Sequence, residues 1–357
     1  MGVAARCGQD KAARAAPCTL RGVTAPRVSV LLPAFDAEAT LPAALRSVAR
    51  QREGRFECVV VDDGSRDGTR GVAERFAAAD ARFRVIAAPH EGLVAALGRG
   101  LAACRAPLVA RMDADDVMHR DRLAAQLSAL AADPTLSGVG CHVRIFPRRG
   151  MTDGLRAYEA WLNAIATPDD VEREAFVECP LAHPTLAIRR EVLARAGYRD
   201  AGWPEDYDLV LRLLAAGERL GVVPRRLQLW RDGPGRLSRT SPAYAPEAFV
   251  ACKAAFLAEG FLAARPDFVL WGYGGTGRAL RRALAAHGKA PSHVIELHPG
   301  RLGQRIHGAP VVGVDALAGL RGRPIVVSVA GAGPRGEIRG VLGAGGFEEG
   351  RDFVCAA

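Results

Sequence analysis

Lysine is almost missing from this chain. Of its 48 basic residues only Lys11, Lys253 and Lys289 are lysines, and the arginines that make up the rest are scattered over all 357 positions. The formal charge of +9 therefore never condenses into a basic block. Aromatic side chains, at 6% of the sequence, do not interleave with the arginines either. Nucleic acid is not expected as a partner, although the charge permits docking at an anionic membrane surface or attraction of phosphorylated substrates. Cysteine pairs at metal or redox spacing are also lacking. The eight cysteines, at 7, 18, 58, 104, 141, 179, 252 and 355, include no C-x-x-C, and several lie inside apolar runs such as FECVVV. Reduced, buried thiols in a cytoplasmic protein are expected, rather than a disulfide framework or a zinc site. No apolar run reaches the roughly 20 residues that span a bilayer. Residues 1–25 lack the apolar core of a signal peptide and read as a disordered tail.

What is present is alternation. RVSVLLPAF (27–35) is a β-branched, apolar strand, and ATLPAALRSVARQ places Leu41, Leu45 and Val48 on one helical face. FECVVVDDGS, GTRGVAERFAAA, FRVIAAP, GLVAALGRGLAAC and APLVARMDADD continue as strand, helix, strand, helix and strand. Such alternation predicts an α/β fold with a parallel sheet and helices on both faces. Ligands of these sheets bind outside the carboxyl ends of the strands. Three of those ends are acidic here: Asp36, the pair Asp62–Asp63, and the cluster Asp113, Asp115 and Asp116. After residue 140 the pattern weakens. A helix (TDGLRAYEAWLNAIA), a strand running into a helix (CPLAHPTLAIRREVLARAG), a helix (PEDYDLVLRLLAAG) and a strand (VVPRRLQLWR) are expected. A loop at 231–246 and a helix from Glu247 to about Ala264 close a first domain over 26–265. Alternation restarts in a second, smaller doubly wound domain over 266–357. There DFVLW, SHVIEL and PIVVSVAGAG are the strands, PVVGVDAL is a short connection and GEIRGVLGAGG is the last helix.

Asp113-Ala114-Asp115 is a D-x-D at a strand end. Once the strand turns, both carboxylates can face one site, and a few hard oxygens suit Mg²⁺ or Mn²⁺ sharing its shell with substrate phosphates. Acidic residues that favour the dipole of a following helix are the competing reading. Four segments in order tip the balance: RVSVLLPAFDAEATLPAALRSVARQ, FECVVVDDGSRDGT, VARMDADDVMHRDRLAAQLSAL and GWPEDYDLVLRLL. Together, over about residues 27–240, they resemble the family 2 glycosyltransferases. That resemblance implies the GT-A fold, which binds a nucleotide-diphospho-sugar. It implies that Pro33, Phe35 and Asp36 line the nucleotide pocket, that Asp62 and Asp63 contact the base, that Asp113 bonds the ribose and that Asp115 ligates the metal. Asp206, with Glu205 beside it, is implied as the general base of an inverting transfer to a glycan, lipid-linked or small-molecule acceptor. His183, in the HPT segment, would face the acceptor side. Arg231 and Arg236 would close over the diphosphate. Gly98 stands where many relatives have Asn, which leaves the preference for sugar or base open.

In the second domain Gly272, Gly274 and Gly277 form a G-x-G-x-x-G between a strand and a helix, and Glu296 ends the next strand. This is the context of a dinucleotide fingerprint, with Glu296 placed to bond a ribose. The unit resembles the Rossmann-like domains appended to sugar-modifying enzymes, which allows NAD(P) or another nucleotide there. Two further readings stay open. One is a nucleotide-binding scaffold or sensor without turnover; the other is a bifunctional enzyme that oxidises a nucleotide sugar. With no membrane span in the sequence, any acceptor in a membrane is expected to be met at its inner face.

Overall fold

The computed structural model describes Gly2 and residues 25–357. The expected N-terminal tail lies almost wholly outside the described residues, as do Cys7 and Cys18. The six cysteines among the described residues are buried and unpaired. No helix among those residues is long and apolar enough to cross a membrane.

The first sheet has eight strands: β1 (Val28–Ala34), β2 (Phe56–Asp62), β3 (Phe83–Ala87), β4 (Leu108–Arg111), β5 (Val117–Met118), β6 (Leu136–Phe146), β7 (Ala187–Arg189) and β8 (Arg219–Arg231). Their order is β3-β2-β1-β4-β7-β6-β8-β5. Strand β1 pairs in parallel with β2 and β4, and β2 with β3. Every residue of β1 and β2 is buried, as helices on both faces require. Beyond β4 the expected parallel sheet gives way to a mixed one, with β7 antiparallel to β4 and β6, and β5 antiparallel to β8. The sequence hides β6 because LSGVGCHVRIF breaks its apolar run with glycine, serine, histidine and arginine. Strand order reverses between β1 and β4, and their pairing ends at Leu31 and Arg111. Pro33, two residues further, has no N–H to extend it. A crevice opens at that switch point, bordered by the chain after β1 and the acids after β4.

The second sheet comprises β9 (Asp267–Trp271), β10 (Ala290–Ile295), β11 (Arg305–Ile306), β12 (Ala309–Val312), β13 (Ile325–Val327) and β14 (Phe353–Cys355). Its order is β11-β12-β10-β9-β13-β14, parallel throughout except for the β11–β12 hairpin. PVVGVDAL is therefore more than a connection: it supplies β12 and a 3₁₀ helix, Val314–Leu320. At the Gly-rich turn Gly272 adopts φ +92°, and a Cβ on Gly277 would lie 2.3 Å from the Gly272 carbonyl oxygen. The helix Gly275–Ala285 thus rests on the strand exit with no room for a methyl group. Gly277→Ala is expected to destabilise the protein by about 1–3 kcal/mol, the usual range for overpacking against atoms that cannot move aside. Urea or thermal unfolding would measure it.

The helix Pro246–Glu259 ends earlier than expected and is apolar all round. Phe249, Cys252 and Phe256 pack on the core beneath the first sheet. Ala254, Leu257 and Ala258 pack against Phe268, Leu270, Leu280 and Leu284 of the second. A helix apolar on all faces is a buried helix, and this one is wedged between the two sheets.

Candidate active site

One cavity of about 900 Å³ lies along the crevice, and its lining draws on every segment of the first sheet singled out by sequence. On one side stand Pro33, Phe35 and Asp36. Asp36 holds a left-handed φ of +46°, a region that Asp tolerates better than most residues. Its carboxylate accepts the Arg66 N–H at 2.8 Å, and its own N–H donates to Ser65 Oγ at 3.0 Å. Phe35 stacks on His90, with ring centroids 4.0 Å apart and planes within 18°. Asp63 fixes that arrangement. Its carboxylate receives His90 Nδ1 at 2.8 Å and the N–H groups of Glu91 and Gly92 at 3.1 and 2.9 Å. Asp62 behaves otherwise. It is buried, does not line the cavity, and accepts the Ser65 N–H at 3.3 Å, so it shapes the turn instead of meeting a ligand.

The cluster after β4 carries its own counter-cation. Arg111, buried at 3% exposure, is ion-paired with Asp113, and its Nε has no partner. Residues two apart on a strand share a face, so the spacing of Arg111 and Asp113 signalled this pairing. Asp115 lines the cavity, and no side chain among the described residues bonds its carboxylate. Burial and the nearby Asp113 raise its pKa, whereas Arg236 opposes the rise. Asp116 is fully buried away from the cavity. It accepts from Gln228 Nε2 at 2.8 Å and from the Arg231 N–H at 2.7 Å, which pins the exit of β8. Arg231 also donates Nε to the Asp115 carbonyl at 2.7 Å, and Arg236 lies 4.5 Å over the Trp230 ring. Both arginines line the cavity.

Opposite the acids of β4 the helix Glu205–Ala215 presents its first turn. Glu205 and Asp206 are adjacent, yet their surroundings drive them apart. Glu205 is buried and held by His183 Nδ1 at 3.2 Å and by the Tyr244 hydroxyl. Those partners overcome burial and hold its pKa down to about 2. Asp206 is pushed up to about 8 by burial and by the charge of Glu205. One of its oxygens accepts the Tyr207 N–H at 2.8 Å. His183 is itself buried and hydrogen-bonded to Tyr198 at 3.3 Å, and burial followed by Arg111 lowers its pKa, so it holds Glu205 in place. Asp208 is structural, fully buried and bonded to Arg199, Arg212 and Trp203.

Glu296 of the second sheet accepts the Tyr273 N–H at 2.7 Å and Arg301 Nη1 at 3.0 Å. Both bonds fall on Oε1, so the acid assigned to a ribose is anchored within the chain through one oxygen. Sequence reasoning passed over Arg111, His90, Tyr244, Glu178, Tyr158 and Trp230, all of which line the cavity. His90 follows the end of β3 and falls under the same strand-end rule. Tyr244 reaches Glu205 from 39 residues away and left no local sign.

Residues 29–197 match the sequence model of the family described as glycosyl transferase family 2. The uncharacterized glycosyltransferase EpsJ of Bacillus subtilis is 27% identical over 224 residues, which cover 60% of this chain and 63% of EpsJ. This chain therefore spans less than two thirds of that relative. The amylovoran biosynthesis glycosyltransferase AmsE of Erwinia amylovora is 28% identical over 215 residues, 59% of this chain and 78% of AmsE. Among solved structures, S. aureus TarS 1–349 in complex with UDP-GlcNAc superposes with a TM-score of 0.53 at 16% identity. The superposition covers 73% of this chain and 72% of that one, a likeness of fold. The residues that match the glycosyl transferase family 2 model thus carry Asp36, Asp63, Asp113 and Asp115 along one crevice.

Proposed function

We propose that this chain transfers a sugar from a nucleotide-diphospho-sugar to an acceptor hydroxyl with inversion at the anomeric carbon. The observation that carries this reading is the division of labour between Glu205 and Asp206. Glu205 is engaged on both oxygens, while Asp206 faces the same cavity as Asp115 with one oxygen uncommitted among the described residues. Asp206 takes the hydroxyl proton as that oxygen attacks the anomeric carbon. Its raised pKa makes it a stronger base than an ordinary carboxylate. Attack from the face opposite the diphosphate needs no covalent sugar–enzyme intermediate. Phe35 and His90 offer a stacked pair for the nucleobase, and Asp36 and Asp113 lie beside it for the ribose. Arg231 and Arg236 hold phosphate oxygens from the β8 exit.

The donor set fits a divalent cation. Asp115 and Asp113 offer hard oxygens, and crowding of like charge raises the pKa of Asp115. Among the described residues no group of three or more His, Cys, Asp or Glu converges. Two carboxylates suit Mg²⁺ or Mn²⁺, which keep waters and take phosphate oxygens in place of a full protein cage. Asp115 would hold the ion, with Asp113 beside it, and a bound ion would neutralise charge on the leaving diphosphate.

We place the division between the two units at Arg265–Pro266 and propose no cofactor for the second. The test is calorimetric titration of the full chain with UDP, GDP and other nucleoside diphosphates. Mn²⁺ would be present at first, followed by excess EDTA. Binding of one nucleotide that disappears with EDTA is expected. Binding of none in either condition would sink the transferase reading.

A further inference from the structure

Among the carboxylates that line the cavity, Glu178 has neither a task in the mechanism nor an ion-pair partner among the described residues. It is partly buried, and the one bond its carboxylate accepts among the described residues is the neighbouring Cys179 N–H at 3.0 Å. Burial raises its pKa. It lines the same cavity as Asp206 and Tyr158. Tyr158 packs against Trp230 with ring centroids 6.2 Å apart, and both rings line the same space. Arg236 covers one face of Trp230, and the indole N–H is buried without a partner among the described residues. The cavity lining therefore combines the Tyr158–Trp230 pair with a carboxylate that accepts but does not donate when ionised. Aromatic rings with a polar partner suit a ligand that is apolar on its faces and hydroxylated at its rim.

Resting on the transferase reading, we propose that Glu178 is a specificity-determining residue that accepts hydroxyl hydrogen bonds from a neutral pyranose acceptor lying against Tyr158 and Trp230. An anionic acceptor would meet the Glu178 carboxylate, and like charges at short range in a partly dry site repel strongly. A neutral sugar meets no such barrier.

The position of Glu178 is set from the second sheet's side. Glu174, four residues earlier, is paired with Arg339 at 2.8 Å and Arg335 at 3.6 Å. Val177 packs into the core beneath the second sheet, and Phe176 packs against both units. Lys253 donates Nζ to the Val177 carbonyl at 3.0 Å and to the Ala356 carbonyl at 2.8 Å. The residues just before Glu178 are thus bolted to the second unit on both side chain and backbone. That attachment holds the carboxylate still, as discrimination between acceptors requires.

The experiment uses the full chain with Mn²⁺, the nucleoside diphosphate found by calorimetry for binding, and nucleotide-diphospho-sugars of that same base as donors for transfer. Saturation-transfer NMR (with the diphosphate) and sugar-transfer assays (with the donors) are run with the methyl glycosides of glucose, galactose, mannose, N-acetylglucosamine and glucuronic acid. At least one neutral glycoside is expected to bind and to accept sugar, with the glucuronide at least about tenfold weaker. Glu178→Gln, which keeps an oxygen for the Cys179 N–H, is expected to raise the KM of the neutral acceptor at least about tenfold. It should narrow the gap to the glucuronide and leave the donor Kd unchanged. Binding of nucleotide without any neutral glycoside overturns the proposal while leaving the transferase reading intact. An acceptor KM unmoved by Glu178→Gln overturns it too. Failure of the nucleotide itself to bind removes the transferase reading, and the proposal with it.

Discussion

On the proposed transfer, Asp206→Asn is expected to lower kcat by about 10²–10⁴-fold while nucleotide binding persists. That is the contribution expected of a positioned general base, about 3–5 kcal/mol of barrier. Asn keeps the shape and the bond from the Tyr207 N–H but cannot take a proton. Glu205 cannot step in, because His183 and Tyr244 already hold it and keep it ionised as a weak base of pKa about 2. The pH profile supplies an independent check. A base works when deprotonated, so a group pushed up to about 8 makes kcat/KM rise with pH below that value and level off above it. Asp206→Asn should abolish the rising limb along with the rate. A variant that keeps the limb, or one that keeps full activity while Glu205→Gln loses it, would transfer the role to Glu205.

Asp115→Ala removes metal-dependent nucleotide binding, with an expected loss of at least about a hundredfold in affinity, about 2.7 kcal/mol. The same change should leave the metal-free protein as stable as before, or more so. The sign follows from the raised pKa. A carboxyl whose folded value exceeds its unfolded one contributes stability below the unfolded value and loses it as pH rises through the folded value. Wherever Asp115 is ionised it therefore opposes folding, and its removal relieves Asp116. Calorimetric titration with Mn²⁺ and scanning calorimetry in EDTA measure the two effects separately. Lost affinity with a melting point held or raised marks a site kept for function at the expense of stability. Lost affinity with a markedly lower melting point would instead make Asp115 structural.

The strand ends were legible in the sequence because buried parallel strands are apolar for their whole length, so the acids where they stop stand out. Asp36, Asp63, Asp113 and Asp115 were found in this way. Asp62 was not separable from Asp63, since only the turn geometry decides which of two adjacent carboxylates faces outward. The antiparallel half of the sheet was obscure. The eleven residues of β6 mix glycine and charge into a pattern that suits a mixed sheet but matches neither strand template. Arg111 was visible in the letters and unread, because an arginine inside an apolar strand signals little until its partner two residues away is considered. Tyr244 and Glu178 reach the site through tertiary packing alone, and no local pattern encodes that.

The helix Pro246–Glu259 has a consequence for anyone handling the two halves separately. A chain cut near Arg265 would keep the helix and lose what covers Ala254, Leu257 and Ala258, leaving a sticky stripe in water. Cut before the helix, the transferase half would lose the plug over Cys252's neighbours and expose its own core. The second unit is consequently no detachable cassette. A chimera that grafts a different partner onto this catalytic half has to redesign one side of a single helix, and leave the other side untouched.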